Sequence, residues 1–489
     1  MTVPFEGALG YGAVSVGGTG GEVIYVTTLE DSLAEGTFRH ALAIASGPRI
    51  VRFAVTGYIN LLDDIAIVNP YITIEGHEAP GDGVCVRYGG ISIRTNDVII
   101  RYLRVRPGDQ SYPTHTASDP EDRDCIKIQG GSEVILDHCS FTWAVDECVS
   151  TWVLAAVAPT NITIQNCIIA EGLYTSIHPS GNHSRGLLIG DDTTNVTVVH
   201  NLIMSNNRRS PMIKGGATDI YIYNNLIYNW GADSGTPGGV GINFSDVDAS
   251  GALGCAVINN IVDNGPNGGT DAMSYDTVNA GSSILLSGNS GDLVDATEIA
   301  AETFVGAAPA ETSRILTWAS GQILGDVGAK LPVSDGADLR LINEAKTGQG
   351  SLKNTPGEAG GYPQLNKGKS MAISKARNIG ELTGVARNTA TNWFSSDLVP
   401  NVAQETGEII KWMFQFHVLT ATTVAIYVTI SGTTNAYLVN GAAALVANTL
   451  YTAELLIPNN CTGVNIQHQT TNQNISCIVS EIREFDSIN

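Results

Sequence analysis

The stretch VILDHCSF, at residues 134–141, recurs in pattern five more times along the chain. The related segments are VIIRYLRV (98–105), ITIQNCII (162–169), VTVVHNLI (196–203), IYIYNNLI (220–227) and CAVINNIV (255–262). Positions one, three and eight are apolar in all six segments, and position six changes from Leu or Cys to Asn along the series. Self-similar units that begin about 24 to 36 residues apart are typical of a solenoid.

Positions one and three lie on the same face of a β-strand, and position eight follows a turn. The pattern predicts an all-β chain built on a right-handed parallel β-helix, in which like residues of successive coils stack into ladders. A leucine-rich repeat is the alternative, but it needs a regular leucine spacing that this chain lacks. We expect the Asn column to occupy turns, because an amide side chain tolerates a left-handed backbone. The segment Tyr71–Gly76 predicts one further coil on the N-terminal side.

Three regions follow from this pattern. Residues 1–50 predict a cap for the open end of the solenoid, with a helix near Phe38–Ala45. Residues 51–380 are predicted to form the catalytic β-helix, with coils to about residue 265. The rest of this region is predicted to be a closing segment that folds back and carries a helical patch at Ala296–Thr303. Residues 381–489 predict an antiparallel β-sandwich for trimerisation or carbohydrate binding. Its strand-like runs are Lys411–Leu419, Thr422–Ser431, Leu450–Pro458, Val464–Thr471 and Ser476–Phe485.

Composition excludes several classes of function. The formal net charge of −22 argues against nucleic acid as a partner, since phosphate binding needs a basic surface. An acidic polymer can still bind where bases or a metal ion gather locally. The chain has no run of about 18 apolar residues, so no membrane span is predicted. Met1–Gly7 has neither the basic nor the apolar region of a signal peptide. No cysteine pair has zinc-finger spacing, and Cys139 and Cys167 fall in the inward column as small buried residues.

Acidic residues gather at two neighbouring positions of the predicted coils. Asp122 and Asp124 precede a strand-like run that contains Ile126, and Asp146 with Glu147 comes one coil later. Clustered carboxylates suit a hard cation that prefers oxygen ligands, such as Ca²⁺. The alternative is a solvated acidic loop.

Basic residues follow in later coils. Arg208 and Arg209 lie in the loop after Ile203, and Arg185 precedes an apolar run. A guanidinium group holds a carboxylate through two parallel hydrogen bonds, so an arginine group facing Ca²⁺ suits a uronate polymer. We expect four further basic residues near the same side, namely Arg101, Arg104, Arg106 and Lys214. The alternative is a set of solvated arginines at the ends of the ladders. Asp137 and His138 fit a hydrogen-bonded ladder better than a catalytic pair.

These segments resemble the pectate lyase superfamily of polysaccharide lyases, in the branch related to polysaccharide lyase family 1, from about Gly10 to Pro363. The motifs that carry the resemblance are GYG (10–12) with GGTGG (17–21), VILDHCSFTWAVDE (134–147), NITIQ (161–165), HSRGLLIG (183–190), the His-Asn coil that ends in Arg-Ser-Pro (200–211), and the Asn pair at 224–225. The resemblance implies a β-helix enzyme that cleaves a uronate polymer by β-elimination.

Carried over by position, the resemblance implies a role for each candidate residue. Asp124 with Asp122, and Asp146 with Glu147, match the Ca²⁺ ligands. Arg209 matches the catalytic arginine, and Arg185 stands where the family has a substrate-binding lysine. Arg208, Lys214 and His183 complete the predicted substrate-binding set. The chain departs from the family at Ser150, where a further metal aspartate is expected.

The sequence therefore predicts an extracellular polysaccharide lyase that acts on an acidic polysaccharide. A β-helix followed by an all-β module also resembles a bacteriophage tailspike, which implies a homotrimer on a virion tail that degrades capsule. The alternatives are a secreted bacterial pectate lyase, a β-helix glycoside hydrolase that uses two carboxylates, and an adhesin that binds polysaccharide without cutting it.

Overall fold

A computed structural model describes residues 4–110, 120–232, 239–245, 251–269, 271–275, 279, 281–291 and 319–366, together with seven strands between residues 391 and 485. The chain divides into two compact units, Met1–Lys367 and Gly368–Asn489. Among the described residues, no helix has the length and apolar character needed to cross a lipid bilayer.

The first unit is built on three parallel sheets, and successive coils add one strand to each. Sheet A has ten strands, Glu22–Val26, Arg49–Phe53, Ile72–Glu75, Val98–Arg101, Ser132–Asp137, Thr160–Gln165, Thr194–Val199, Thr218–Tyr223, Gly254–Ile258 and Ser283–Ser287. Sheet B has eight, Gly57–Asn60, Val84–Arg87, Arg104–Arg106, Ser140–Thr142, Ile168–Ala170, Leu202–Met204, Leu226–Tyr228 and Ile261–Asp263. Sheet C has eight, Ile65–Ile67, Ile91–Ile93, Ile126–Gln129, Glu147–Trp152, Arg185–Ile189, Met212–Lys214, Val240–Ser245 and Asp271–Tyr275.

The six template segments stack in register, which confirms the predicted parallel β-helix. In sheet A, Val134 pairs with Val98 on one side and with Ile162 on the other. The same register continues through the remaining three segments to Cys255. The eighth template position pairs equally well in sheet B, where Phe141 lies between Val105 and Ile169. Each apolar column is therefore a continuous buried ladder inside the coil.

The asparagine column is a hydrogen-bonded ladder inside the core. Asn201 donates from Nδ2 to Oδ1 of Asn225 at 2.9 Å, and Asn225 donates in the same way to Asn260 at 2.9 Å. Asn260 in turn donates to Asn289 at 3.0 Å, which extends the ladder by one coil beyond the predicted repeats. Buried amides need such partners, because an unsatisfied polar group in the core is costly.

The expectation that these asparagines adopt the left-handed backbone is wrong by one residue. The positive φ values fall on the residue before each column member, with φ 53° at Asn166 and 54° at Asn224. That residue makes the turn between sheets A and B. The next side chain is thereby directed into the stack, where it bonds the neighbouring coil.

The N-terminal region covers the solenoid in two places. A short π-helix, His40–Ile44, lies within the predicted helical stretch, and the adjacent Phe38 belongs to the main core. Tyr11–Val14 forms a 3₁₀ turn against the outer face of sheet A, where the Gly12 N–H donates to Thr163 Oγ1 at 2.9 Å. Only glycine fits at position 12, because a Cβ atom there would lie 2.4 Å from the Val134 carbonyl oxygen.

Residues 319–366 fold back over the outer face of sheet B. The helices Ser320–Leu324 and Gly336–Thr347 bring Leu324 and Leu341 against apolar side chains such as Met204. The helical patch expected at residues 296–303 lies outside the described residues. Among the described residues, three further 3₁₀ turns lie at Gly76–Glu78, Pro120–Asp122 and Pro356–Ala359.

In the second unit the described strands pair antiparallel in two sheets. The strands are Thr391–Asn392, Ile410–Val418, Ile426–Ile430, Thr433–Ala436, Thr449–Ile457, Val464–His468 and Cys477–Phe485. These bounds agree with the predicted all-β character of the region. Packing of the two sheets as a sandwich stays a prediction.

The ladder predicts a graded loss of stability. Asn225→Ala should lower the free energy of unfolding by about 1–3 kcal/mol, because buried partners on both neighbouring coils lose their hydrogen bonds. Asn289→Ala should cost clearly less, since that end of the ladder is half-exposed and water can replace the bonds. Urea unfolding of both variants measures the difference, and equal losses would contradict the ladder account.

Candidate active site

The candidate residues lie at one edge of sheet C, where its strands begin. Glu147 starts one strand and pairs with Arg185, which starts the next. Arg185 forms a backbone bridge with Arg208, in the loop before the following strand. Asp124 lies two residues before the strand Ile126–Gln129, which pairs with Glu147–Trp152 from the other side. In-register pairing therefore brings acidic and basic residues of four coils onto one edge.

Three carboxylates at this edge form an oxygen cluster. Asp122, Asp124 and Asp146 each offer an oxygen within 4.8 Å of the others. Asp124 is 1% exposed, and its Oδ2 accepts a hydrogen bond from the Ser150 hydroxyl. Its Oδ1 is buried and has no hydrogen-bond partner among the residues that the structure describes. Burial raises the pKa of Asp124 well above its ordinary value, which marks a carboxylate that lacks full charge compensation.

Lys127 is part of this cluster, although the sequence reading did not include it. Its ammonium group contacts the Asp122 carboxylate, and the side chain is 4% exposed. Burial lowers the pKa of Lys127, but Asp124 and Asp122 outweigh burial and raise it overall. The alternation of Ile126 and Ile128 with Lys127 already placed this lysine on the outer face of the coil.

Arg209 lies against the acidic edge through an ion pair with Glu147. Glu147 is 1% exposed and pairs with Arg209, whereas the oxygen cluster among the described residues consists of Asp122, Asp124 and Asp146. Arg209 has a left-handed backbone, with φ 61°, and its carbonyl oxygen accepts from the Leu187 N–H at 2.6 Å. Burial lowers the pKa of the Arg209 guanidinium, while Asp146 and Asp124 oppose that shift. The arginine and the carboxylates are therefore close enough to act on each other electrostatically.

Two histidines support Asp146 from the side. His183 Nε2 lies 2.6 Å from Asp146 Oδ1, and His178 Nε2 lies 3.9 Å from the same oxygen. The two rings stack with their centroids 3.6 Å apart. Burial and then His183 lower the pKa of His178, which favours its neutral form. The sequence reading missed His178, although its position five residues before His183 was a usable signal.

The other candidate bases are divided between this edge and elsewhere. Arg185 donates from Nη1 to the His183 carbonyl oxygen at 3.1 Å, so its guanidinium group remains at the edge. Lys214 lies at the opposite end of its strand, 3.1 Å from Asp191 and 5.3 Å from the centre of the Trp152 ring.

The expectation that Arg101, Arg104 and Arg106 lie near the site is wrong. Arg101 pairs with Asp137 on sheet A at 2.7 Å. Arg104 and Arg106 belong to sheet B and hold the segment that covers it, with Arg106 Nη1 2.5 Å from Asp335 Oδ2. The coil frame brings residues close along the axis but does not reveal from sequence which sheet they face. His138 bonds Asp137 at 2.7 Å and approaches Asp326 at 3.3 Å, as a structural residue would.

Fold and site together define a parallel β-helix protein that carries a carboxylate cluster and an arginine on one sheet. Residues 67–227 match the family described as right handed beta helix region. The chain is 33% identical over 426 residues to a probable pectate lyase C of Emericella nidulans. The alignment covers 81% of this chain and 93% of that protein. It is 38% identical over 273 residues to a probable pectate lyase C of Aspergillus terreus, over 56% of this chain and 57% of that protein.

Among solved structures, Jun a 1, the major allergen from cedar pollen, is similar with a TM-score of 0.50 and 16% identity. The match covers 66% of this chain and 92% of that one, and it supports the fold alone. The chain belongs to the pectate lyase family, which confirms the resemblance seen in the motifs.

The ion pair between Arg209 and Glu147 predicts a measurable coupling. Arg209→Met and Glu147→Gln should each destabilise the protein, because each leaves a charge without its partner. The double variant should lose less than the sum, with a coupling of roughly 1–2 kcal/mol, since the Arg209 side chain is 27% exposed. Urea unfolding of the four proteins gives this value, and strictly additive losses would mean that the pair does not form.

Proposed function

We propose that this protein is a polysaccharide lyase that cleaves pectate, or a related uronate polymer, by β-elimination. The observation that carries the proposal is the ion pair of Arg209 with Glu147 at the same edge of sheet C that carries Asp122, Asp124 and Asp146, in a chain of the pectate lyase family. The relatives from Emericella nidulans and Aspergillus terreus, both described as probable pectate lyases, support the reaction and the substrate class.

The oxygen cluster fits a calcium ion. Its donors are carboxylates, which are the ligands that Ca²⁺ prefers. A cation would also compensate the buried Oδ1 of Asp124, which has no hydrogen-bond partner among the described residues. Asp122, Asp124 and Asp146 would hold the ion. When bound, it would supply positive charge to neutralise the uronate carboxylate and so make the C5 proton more acidic.

The basic residues of the same edge would orient the polymer. Arg185 would hold a uronate carboxylate, because a guanidinium group offers two parallel donors to one carboxylate. His183 is held by Asp146 and lies next to Arg185. Arg208 would contact a neighbouring sugar at this edge, and Lys214, at the opposite end of its strand, would contact a sugar farther from the carboxylate cluster. Charge stabilisation by such groups acts mainly in the transition state, where negative charge develops beside C5.

Arg209 would accept the C5 proton. The C–H electron pair forms the C4–C5 double bond, the C4–O bond breaks, and the leaving oxygen takes a proton from solvent. A guanidinium group normally stays protonated, so the role requires a site that lowers its pKa, as burial does here. Substrate binding would also have to release Arg209 from its ion pair with Glu147.

The narrower assignments extend this proposal. A capsule-degrading tailspike would explain an all-β unit after the β-helix, and it would be a homotrimer on a virion tail. A secreted pectate lyase is the alternative within the same reaction class. Both place the protein outside the cell, and both stay predictions.

The reaction predicts an ultraviolet signal. Incubation with polygalacturonate and other acidic polysaccharides should raise the absorbance at about 235 nm, where the unsaturated product absorbs. A chelator should abolish this rise. New reducing ends without the absorbance would indicate a hydrolase. Binding without any cleavage across the panel would indicate an adhesin.

The catalytic role of Arg209 predicts a large loss on a conservative change. Arg209→Lys should lower kcat by at least about 100-fold, because general-base catalysis contributes factors of this order, while KM changes little. Arg101→Lys is the matched control, since Arg101 lies on sheet A and pairs with Asp137. Initial rates near 235 nm test both variants, and full activity of Arg209→Lys would exclude the assigned role.

A further inference from the structure

Lys127 occupies an unusual position for a lysine. It lies on the outer face of sheet C, between Ser92 of one neighbouring strand and Ser150 of the other. Its side chain is nevertheless only 4% exposed, and the ammonium group contacts both the carboxylate and the carbonyl oxygen of Asp122. Lysine is almost never fully buried unless it is paired.

The partners of Lys127 are the same carboxylates that form the oxygen cluster. Asp124, Asp122 and Asp64 all favour its charged form, and together they outweigh the opposing effect of burial. Asp122 and Asp124 are also two of the three residues whose oxygens lie within 4.8 Å of one another. One internal ammonium therefore already compensates part of the charge that would attract a divalent cation.

Two cations that share these carboxylates must repel each other. Like charges a few ångströms apart interact strongly where the local dielectric is well below that of water. Lysine has a flexible four-carbon stem, so the ammonium can move away from Asp122 when another cation arrives. Loss of its contacts then opposes cation binding.

We propose that Lys127 is a built-in counter-cation of the carboxylate cluster, and that it competes with Ca²⁺ for Asp122 and Asp124. The inference rests on the calcium site of the proposed function. It predicts that the wild-type protein binds Ca²⁺ more weakly than its three carboxylates alone would, so that the enzyme responds to the free Ca²⁺ concentration. Lys127 thereby sets the threshold for cation loading.

Calorimetric titration of Ca²⁺ into the chelator-treated full chain tests this inference. Lys127→Met keeps the aliphatic stem and removes the charge, and it should bind Ca²⁺ at least about tenfold more tightly than wild type. Lys127→Arg keeps the charge and should stay near wild type. Lys330→Met is the matched control, because it removes one ammonium from an ion pair with Asp326 and changes the net charge equally. It should leave the affinity within about twofold.

Thermal unfolding gives a second readout. Lys127→Met should melt below wild type in chelator, where the carboxylates lack a counter-ion, and Ca²⁺ should raise its Tm by more than it raises that of wild type. A variant that folds only with Ca²⁺ supports the inference, because the ion then replaces the ammonium group. If Lys127→Met folds under neither condition, Lys127→Gln provides the same comparison.

An affinity for Ca²⁺ in Lys127→Met that equals or falls below that of wild type would overturn the inference, as would undetectable binding in both. Failure of the proposed function is a separate result. A chain that yields no unsaturated product, but whose Lys127→Met variant binds Ca²⁺ more tightly, would disprove the lyase activity and keep the role of Lys127.

Discussion

In-register parallel pairing between successive coils is the constraint on which the rest of the molecule depends. Strands in a sheet lie about 4.8 Å apart, so equivalent positions of neighbouring coils touch although they are far apart in sequence. Inside the coil this rule stacks Val134 on Val98 and Asn225 on Asn201. Outside, at the edge of sheet C, the same rule places Glu147 beside Arg185. Core and site are two results of one pairing scheme.

Stacking also concentrates charge that the chain could not gather locally. The protein has a net charge of −22, and the edge of sheet C holds carboxylates from two coils within a few ångströms. The edge tolerates this because internal cations balance it in part, Arg209 at Glu147 and Lys127 at Asp122. The balance is incomplete at Asp124, whose Oδ1 has no hydrogen-bond partner in the described part of the chain. Under the proposed function, this edge would accept an additional cation and an anionic polymer.

Features that depend on the spacing of the repeat could be predicted from the sequence. Features that depend on the sheet to which a residue belongs could not. The apolar columns and the edge that carries Asp124, Glu147 and Arg209 follow from the repeat, because register converts spacing into proximity. Arg104 and Arg106 were misplaced because their sheet is covered by residues 319–366, a contact between distant segments that no local pattern reveals. The left-handed position was displaced by one residue, since composition marks the Asn column more strongly than the variable residue before it. Lys127 was overlooked because an outward lysine is ordinarily solvated, whereas this one is 3% exposed and contacts Asp122.

The proposed mechanism requires that the carboxylate cluster and Arg209 lie close enough to act on the same sugar ring. A crystal structure of the Arg209→Lys variant with Ca²⁺ and a galacturonate oligomer tests it most directly. We expect the ion between Asp122, Asp124 and Asp146, a uronate carboxylate bound to the ion, and C5 of that sugar facing residue 209. An oligomer bound to sheet A or sheet B, or a sugar at sheet C whose C5 faces away from residue 209, would refute the arrangement while leaving the β-helix intact.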